Sequence, residues 1–255
     1  MIYGLYLSAT GVIANSYRED VIANNLANSE TTAFKRNTTA FQQRLTAAQE
    51  HSALAGKTDP LQEGIGGGFL AAPTGVDLSQ GELEATGNPL DLAVMGKGFF
   101  AVDDHGKTAL TRNGKFILDR GGNLILDNGT GEHVLDRDLK PIVLDPTHIN
   151  QTTIGSGGEI TQAGKIAGQV GLFNVADPAK LVNKGGSIID PSQAGDLTKA
   201  DGAIRSQFAE RANVDPAVEL THLMDAQRQL EANANMIKYQ DDTLGKAVTD
   251  VGKLS

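Results

Sequence analysis

The chain of 255 residues has no cysteine, which removes disulfides, thiolate metal sites and cysteine nucleophiles together. Aromatic residues are scarce at 5%, against 30 glycines, so many tight turns and a modest core are expected. Basic runs are absent beyond the pair Lys35-Arg36, and the net charge is -9. A phosphate backbone is held by clustered lysine and arginine, so nucleic acid is excluded as a partner, and the acidity reads as solubility. No apolar run approaches the roughly 20 residues that span a bilayer, so membrane insertion is not expected. The opening MIYGLYLSATGVIANSYRED lacks a basic leader and a clear cleavage site, which argues against a secretory signal.

Proline is missing up to about Ala55, and all but one of the eight prolines fall between Gly56 and Asp201. This composition divides the chain into helix, β-rich middle and helix. The expected class is α+β: N- and C-terminal helices forming a coiled-coil-like helical domain, and a central antiparallel all-β domain. The expected division is 1–55 N-terminal helical, 56–80 linker, 81–205 β-domain and 206–255 C-terminal helical.

The C-terminal zone opens with Asp215-Pro216, a capping residue followed by a proline suited to the first helical position. Glu219 complements the positive helix end. Leu223, Leu230, Ile237, Leu244 and Val251 recur every seven residues, and Leu220, Gln227, Ala234, Asp241 and Val248 fill the alternate positions. One column is aliphatic and the other mixed, which fits a helix in a many-helix wall better than an autonomous two-stranded coil. At the N-terminus Ile2, Leu5, Ala9, Val12 and Ser16 form a weaker stripe, continued by Val21, Ile22 and Leu26. The small residues Ala9, Ala14, Ala23 and Ala27 would permit close helix contact. So short a helix is marginal alone, and the C-terminal seam is the expected partner.

The middle reads as β-hairpins. Phe99–Val102 precedes the turn Asp103-Asp104-His105-Gly106, and Asn113-Gly114 sits between Ala109–Thr111 and Phe116–Leu118, a short hairpin signal. Leu124–Leu126, His133–Leu135, Ile142–Leu144 and Gln169–Val175 are further strand expectations. Short strands at close spacing favour an antiparallel sandwich or barrel-like domain.

The segment ANNLANSETTAFKR, Ala23 to Arg36, resembles the N-terminal signature of flagellar rod and hook proteins. Asn25, Leu26, Ala27, Asn28, Thr32, Phe34 and Lys35 fit it, and Ala33 stands where the family usually has glycine. TGNPLDLAVMGKGFFAV with LTRNGKFILDRGGNLIL is similar to the β-domain signature of the same proteins. NVDPAVELTHLMDAQRQLEANANMIKYQDDTL is similar to their C-terminal signature and holds Gln227, Arg228, Glu231 and Asn233. Three blocks in order are far more specific than one short motif.

The resemblance implies a non-enzymatic subunit of the flagellar basal-body rod, a proximal or a distal one. It implies export by the flagellar type III apparatus without signal cleavage, and a location in the periplasm-spanning rod. It further implies assembly with copies of itself and with other rod and hook subunits into a hollow tube lined by the terminal helices. Subunit packing then falls to Leu5, Val12, Leu26, Leu220, Leu223, Leu230, Ile237, Leu244 and Val251. A different reading of the same pattern is a secreted β-domain adhesin or cap module oligomerising through its helices. A wall-cutting hydrolase is more distant, because it needs a convergent carboxylate pair or a nucleophile with its base.

No catalytic, metal or cofactor site is expected. The histidines at 51, 105, 133, 148 and 222 lack metal-ligand spacing. Gly64–Gly68 has no Lys-Ser or Lys-Thr after it and reads as a linker. Gly155-Ser156-Gly157-Gly158 reads as a turn rather than a nucleophile elbow, as do Asp103-Asp104, Asp119 and Asp127. Asn24, Asn25 and Asn28 read either as helix-end and turn formers or as bonding partners between subunits, an ambiguity shared by Asn233 and Asn235. Arg228 reads equally as solvated or as an ion-pair partner across the wall.

Overall fold

A computed structural model describes residues 2–43, 69–72, 74–200 and 202–252; the glycine run expected as a linker lies outside them. The chain forms two compact units, one of residues 1–26, 38–74 and 216–255, the other of residues 27–37 and 75–215. Helices α1 (Ile2–Ala27) and α2 (Pro216–Gly252) flank the strands. In chain order these are β1 (Asn37–Thr38), β2 (Phe41–Gln43), β3 (Phe69–Ala71), β4 (Gly75–Val76), β5 (Leu83–Ala85), β6 (Leu92–Met95), β7 (Phe99–Asp104), β8 (Lys107–Thr111), β9 (Phe116–Leu118) and β10 (Leu124–Leu126). They continue as β11 (His133–Val134), β12 (Thr152–Ile154), β13 (Glu159–Gln162), β14 (Lys165–Gln169), β15 (Leu172–Val175), β16 (Val182–Gly185), β17 (Ile188–Asp190), β18 (Leu197–Lys199), β19 (Ala203–Ser206) and β20 (Phe208–Glu210). The class is α+β, with paired terminal helices and a central antiparallel β region.

In the helical unit the two helices run antiparallel. A Cβ on Gly4 would lie 2.8 Å from Gln240 Nε2, and one on Gly11 2.9 Å from Asn233 Nδ2. Further along, Gln227 Nε2 donates to Glu19 Oε1 at 3.2 Å. Covered positions on α2 follow a four-three rhythm, Glu219, Leu223, Ala226, Leu230, Asn233, Ile237, Gln240, Leu244 and Ala247, with Ala234 half-buried beside Asn233. The aliphatic heptad column is therefore half-buried, and its companion is the small and polar column that starts at Glu219. On α1 the close contacts fall at Gly4 and Gly11, not at Ala23 and Ala27, which are exposed. Small residues serve here for the expected reason, since a missing side chain lets two helix backbones approach; glycine supplies two such positions, and of the four alanines Ala9 and Ala14 are half-buried. In this register residues 243–252 of α2 run past the start of α1. Strands β2 and β3 pair beside the helices, and Tyr17 meets Phe41 edge to face at 6.4 Å.

The β unit is built around β7. One edge of β7 pairs with β8; the other pairs with β15 at Phe99 and Phe100 and with β11 at Val102 and Asp103. Nine strands join this sheet, in the order β16-β17-β8-β7-β11-β10-β9, with β15 and β18 branching from β7. The unbroken apolar run Phe99–Val102 is explained by burial of both faces. Phe100 and Val102 pack with Leu92, Val94, Phe116 and Leu126, while Phe99 and Ala101 pack with Leu110, Phe173 and Val175. Beside this sheet stand β12-β13-β14 and the pairs β19–β6 and β20–β5.

Three local expectations change. The segments flanking Asn113-Gly114 do not pair with each other: β8 lies between β7 and β17, and β9 pairs with β10. Gly114 O instead accepts from Leu92 N at 2.8 Å, so the chain crosses to β6 rather than reversing. Ile142–Leu144 is not a regular strand: Val143 makes an isolated bridge to Asn123, and Pro141 just before the segment makes one to Leu135, although Ile142 and Leu144 are buried. Gln169–Val175 is split at Gly171, where a Cβ would lie 2.7 Å from Asp136 O. The turn at His105-Gly106 closes β7 on β8 as expected, with φ of 54° and 82°. Gly155–Gly158 is the turn between β12 and β13, closed by Gly158 N donating to Gly155 O.

Candidate functional site

The β unit contains residues 27–37 as well as 75–215, so most of the signature after α1 is part of it. Thr31 N donates to Asn28 O in the turn that follows α1. Ala33 then takes a positive φ of 55° and donates its N–H to Glu210 O at 2.8 Å. This left-handed turn aims Phe34 and Lys35 inward, leaving them 1% and 2% exposed.

A buried lysine is rare unless paired, and Lys35 is paired twice. Its Nζ donates to Glu210 Oε1 at 2.6 Å and to Ser79 O at 2.6 Å. Glu210, fully buried, also accepts from Gly81 N at 2.9 Å through the same oxygen. Its Oε2 lies 3.5 Å from Arg112 Nη1. Arg112 in turn donates from Nη2 to Gly96 O at 2.8 Å and stacks over Phe99, 5.2 Å from the ring centre. Two cations thus converge on one buried carboxylate. Burial pushes the Lys35 ammonium below its ordinary pKa, Glu210 partly restores it, and Arg112 adds to the depression. Arg112 is likewise lowered by burial, against the pull of Glu210. Asp77, more solvated, adds a weaker attraction to Lys35, and its own pKa is lowered by the N–H of Ser79.

Backbone bonds extend the cluster. Asn213 Oδ1 accepts from Arg36 N at 2.8 Å, and its Nδ2 donates to Asp77 O at 2.9 Å. Asn213 N reaches Phe34 O at 3.3 Å, and Asp77 N donates to Arg36 O. The stretch that follows α1 and the stretch that precedes α2 are therefore tied to each other inside the β unit. Gly81 permits the closeness: a Cβ there would stand 2.0 Å from Arg211 O.

Ala33 occupies a position that suits glycine, because left-handed backbone costs alanine on the order of 1 kcal/mol. Its methyl is 1% exposed, and burying one such group returns about 0.8 kcal/mol. The two nearly cancel. Ala33→Gly is expected to move the stability of the β unit by less than about 1 kcal/mol, whereas Ala33→Val, β-branched at positive φ in a filled site, loses more than about 2 kcal/mol. Urea denaturation of the two variants beside the parent checks both signs.

The signature residues divide between the units. Thr32, Phe34 and Lys35 lie in the β unit, and Thr32 with Asn28 helps line a polar groove of 570 Å³ that also holds Asp127, Glu132 and Lys184. Asn25 is buried in the helical unit, Leu26 is half-buried and Ala27 is exposed. Gln227 bonds to Glu19; Arg228 and Glu231 are exposed; Asn233 faces Gly11. Leu5, Val12, Leu223, Leu230, Ile237 and Leu244 are half-buried, Leu220 is 49% exposed, and the side chain of Val251 lies outside the described residues. Glu210, Arg112 and Asn213 escape a sequence reading. The available hint is the acid at the end of Phe208-Ala209-Glu210, where a buried strand needs a cation. Among the described residues no group of three or more His, Asp or Glu could hold a metal ion, and no helix is long and apolar enough to cross a membrane.

Paired terminal helices and a β unit held by a buried, internally compensated charge cluster are the features of a structural protein. Comparison with known proteins gives the family. The chain matches family models described as flagella basal body rod protein over residues 5–35, flagellar hook protein FlgE/F/G D1 domain over 93–162, and flagellar basal body rod FlgEFG protein C-terminal over 205–250. It is 32% identical to the flagellar basal-body rod protein FlgG of Bacillus subtilis, covering 97% of this chain and 98% of that one. It is 30% identical to the flagellar basal-body rod protein FlgF of Mesorhizobium japonicum, covering 98% of both. The FlgF protein of Caulobacter vibrioides is 30% identical over 92% of each chain. The chain belongs to the flagellar basal-body rod protein family and has the structural role of a rod subunit.

Proposed function

We propose that this rod subunit polymerises through α1 and α2 into a hollow helical tube, with copies of itself and with other rod and hook subunits as neighbours. It reaches the periplasm-spanning rod through the flagellar type III export apparatus, without a cleaved signal. The division proposed for this assembly keeps the terminal segments, 1–55 and 206–255, as the polymerising part, 56–80 as linker and 81–205 as the outward β-domain, with the roots of both terminal segments anchored in the β unit.

One observation carries the reading. The pairing of α1 with α2 leaves large apolar side chains in water: Ile13 is 67% exposed on α1, and Tyr239 and Val248 are 70% and 73% exposed on α2. Leu220, Met224 and Met236 add to this surface at close to half exposure. Exposed apolar side chains of this size on a helix pair offer surface that neighbouring helices can cover. Heterologous contacts that do not close generate open-ended helical assemblies. Electron microscopy of concentrated protein, with sedimentation to follow size, is expected to show open-ended tubes. A closed ring or trimer that stops growing would favour a small oligomeric module and defeat the reading.

A further inference from the structure

We infer that Glu210 is a positioning residue that withholds the ordered form of the signature segment, residues 33–37, until the last strand of the β unit is in place. Lys35 and Arg112 converge on the carboxylate of Glu210, 175 residues beyond Lys35 in the chain. The backbone of the same segment is held by that late stretch too, Ala33 N on Glu210 O and Arg36 N on Asn213 Oδ1.

Synthesis proceeds from the N-terminus, so residues 33–37 and Arg112 exist well before Glu210. In that interval, seating Lys35 would bury an ammonium beside a guanidinium with no carboxylate between them. An unpaired buried charge is strongly unfavourable, and two like charges in one site are more so. The segment therefore stays hydrated and open. Arrival of β20 supplies the counter-charge, the carbonyl of Glu210 and the side chain of Asn213 in one step, and Phe34 and Lys35 close under it. The stretch after α1 and the stretch before α2 become fixed together, and no earlier. Assembly through the terminal helices then waits for this step, a consequence that rests on the proposed polymerisation.

The cluster has an asymmetry that makes the inference testable. Lys35→Met leaves Arg112 and Glu210 as a neutral pair. Glu210→Gln keeps the shape but leaves two buried cations unopposed. In the full-length chain, amide exchange at Ala33 and Arg36 is expected to quicken about a hundredfold or more in E210Q and less than about tenfold in K35M, while exchange at Leu110 in β8 is unchanged in both. In pulse-labelled refolding of the parent chain, Ala33 and Arg36 gain protection after Leu110. The triple variant K35M/R112M/E210Q removes all three charges and restores protection at Ala33, which also covers the case in which E210Q fails to fold.

Full protection of Ala33 in E210Q, protection of Ala33 before Leu110, or a triple variant as open as E210Q would each overturn the inference. Tubes of E210Q formed at the parent's yield despite an open segment would overturn the link to assembly. If the parent itself formed no tubes, that link would fall with the reading beneath it, and the exchange results would still decide the role of Glu210.

Discussion

Leu230→Asp is expected to abolish tube formation while the β unit unfolds at the same denaturant concentration as in the parent. Leu230 stands in the half-buried column of α2 with Leu223, Ile237 and Leu244. A carboxylate placed in such an apolar contact must either stay charged without water or take up a proton, and either route costs several kcal/mol. In a tube the same defect recurs in every subunit, so a loss that a monomer tolerates is multiplied along the assembly. The β unit, whose core lies around Phe100 and Phe99, has no part in that column. Because Leu230 also covers part of the pairing between α1 and α2, a companion variant separates the two roles. Leu220 is 49% exposed, so an aspartate there is hydrated in the single chain and harms only contacts between chains. Loss of tubes in L220D with unchanged helix content assigns that face to assembly. Normal tubes in L230D at the parent's critical concentration would remove the proposed seam.

The aliphatic column of α2 was legible because a seven-residue spacing of Leu, Leu, Ile and Leu is itself a burial signal. Its companion was not. Glu219, Ala226, Asn233, Gln240 and Ala247 are small or polar, and glycine on α1 makes room for two of them, Gly4 for Gln240 and Gly11 for Asn233. A contact made of a missing side chain and an amide leaves no mark in hydrophobic periodicity. The same limit applied in the β unit. The run Phe99-Phe100-Ala101-Val102 announced a strand, but local pattern does not name a strand's partners, and the Asn-Gly signal before β9 suggested a reversal where the chain crosses to β6. The charge cluster was legible in halves only. The signature named Phe34 and Lys35, yet the buried acid that neutralises Lys35 lies 175 residues away, and the apolar pair Phe208-Ala209 before Glu210 is the one local hint that sets it apart from the other acids. Burial of Lys35 also alters what the signature residues do: several of them hold the chain's own fold together instead of facing a neighbour.

Gly114→Ala is expected to be the most damaging single methyl in the β unit. The sequence motif suggests that glycine is there for its freedom at positive φ, but Gly114 is not among the residues with positive φ. Its reason is contact. A Cβ at this position would stand 1.7 Å from Leu92 O and 3.0 Å from the ring of Phe100. Both neighbours are fully buried, and Leu92 is fixed from two directions, by its N–H bond to Gly114 O and by pairing with Ser206 of β19. Relief would need β6 to move away, which opens the bridge between Asp91 and Lys115 as well. Overpacking a rigid core costs about 1–3 kcal/mol when side chains can shift. Here backbone must shift, so a loss of about 4 kcal/mol or more is expected. Gly106→Ala provides the contrast. Gly106 has φ of +82° and nothing within 4 Å of its missing Cβ, so only conformational strain of about 1 kcal/mol applies. Urea midpoints for the two variants should therefore differ several-fold in their displacement from the parent. Equal displacements would mean that the approach of residue 114 to β6 is looser than these distances require, and that the close crossing does not hold the β unit together.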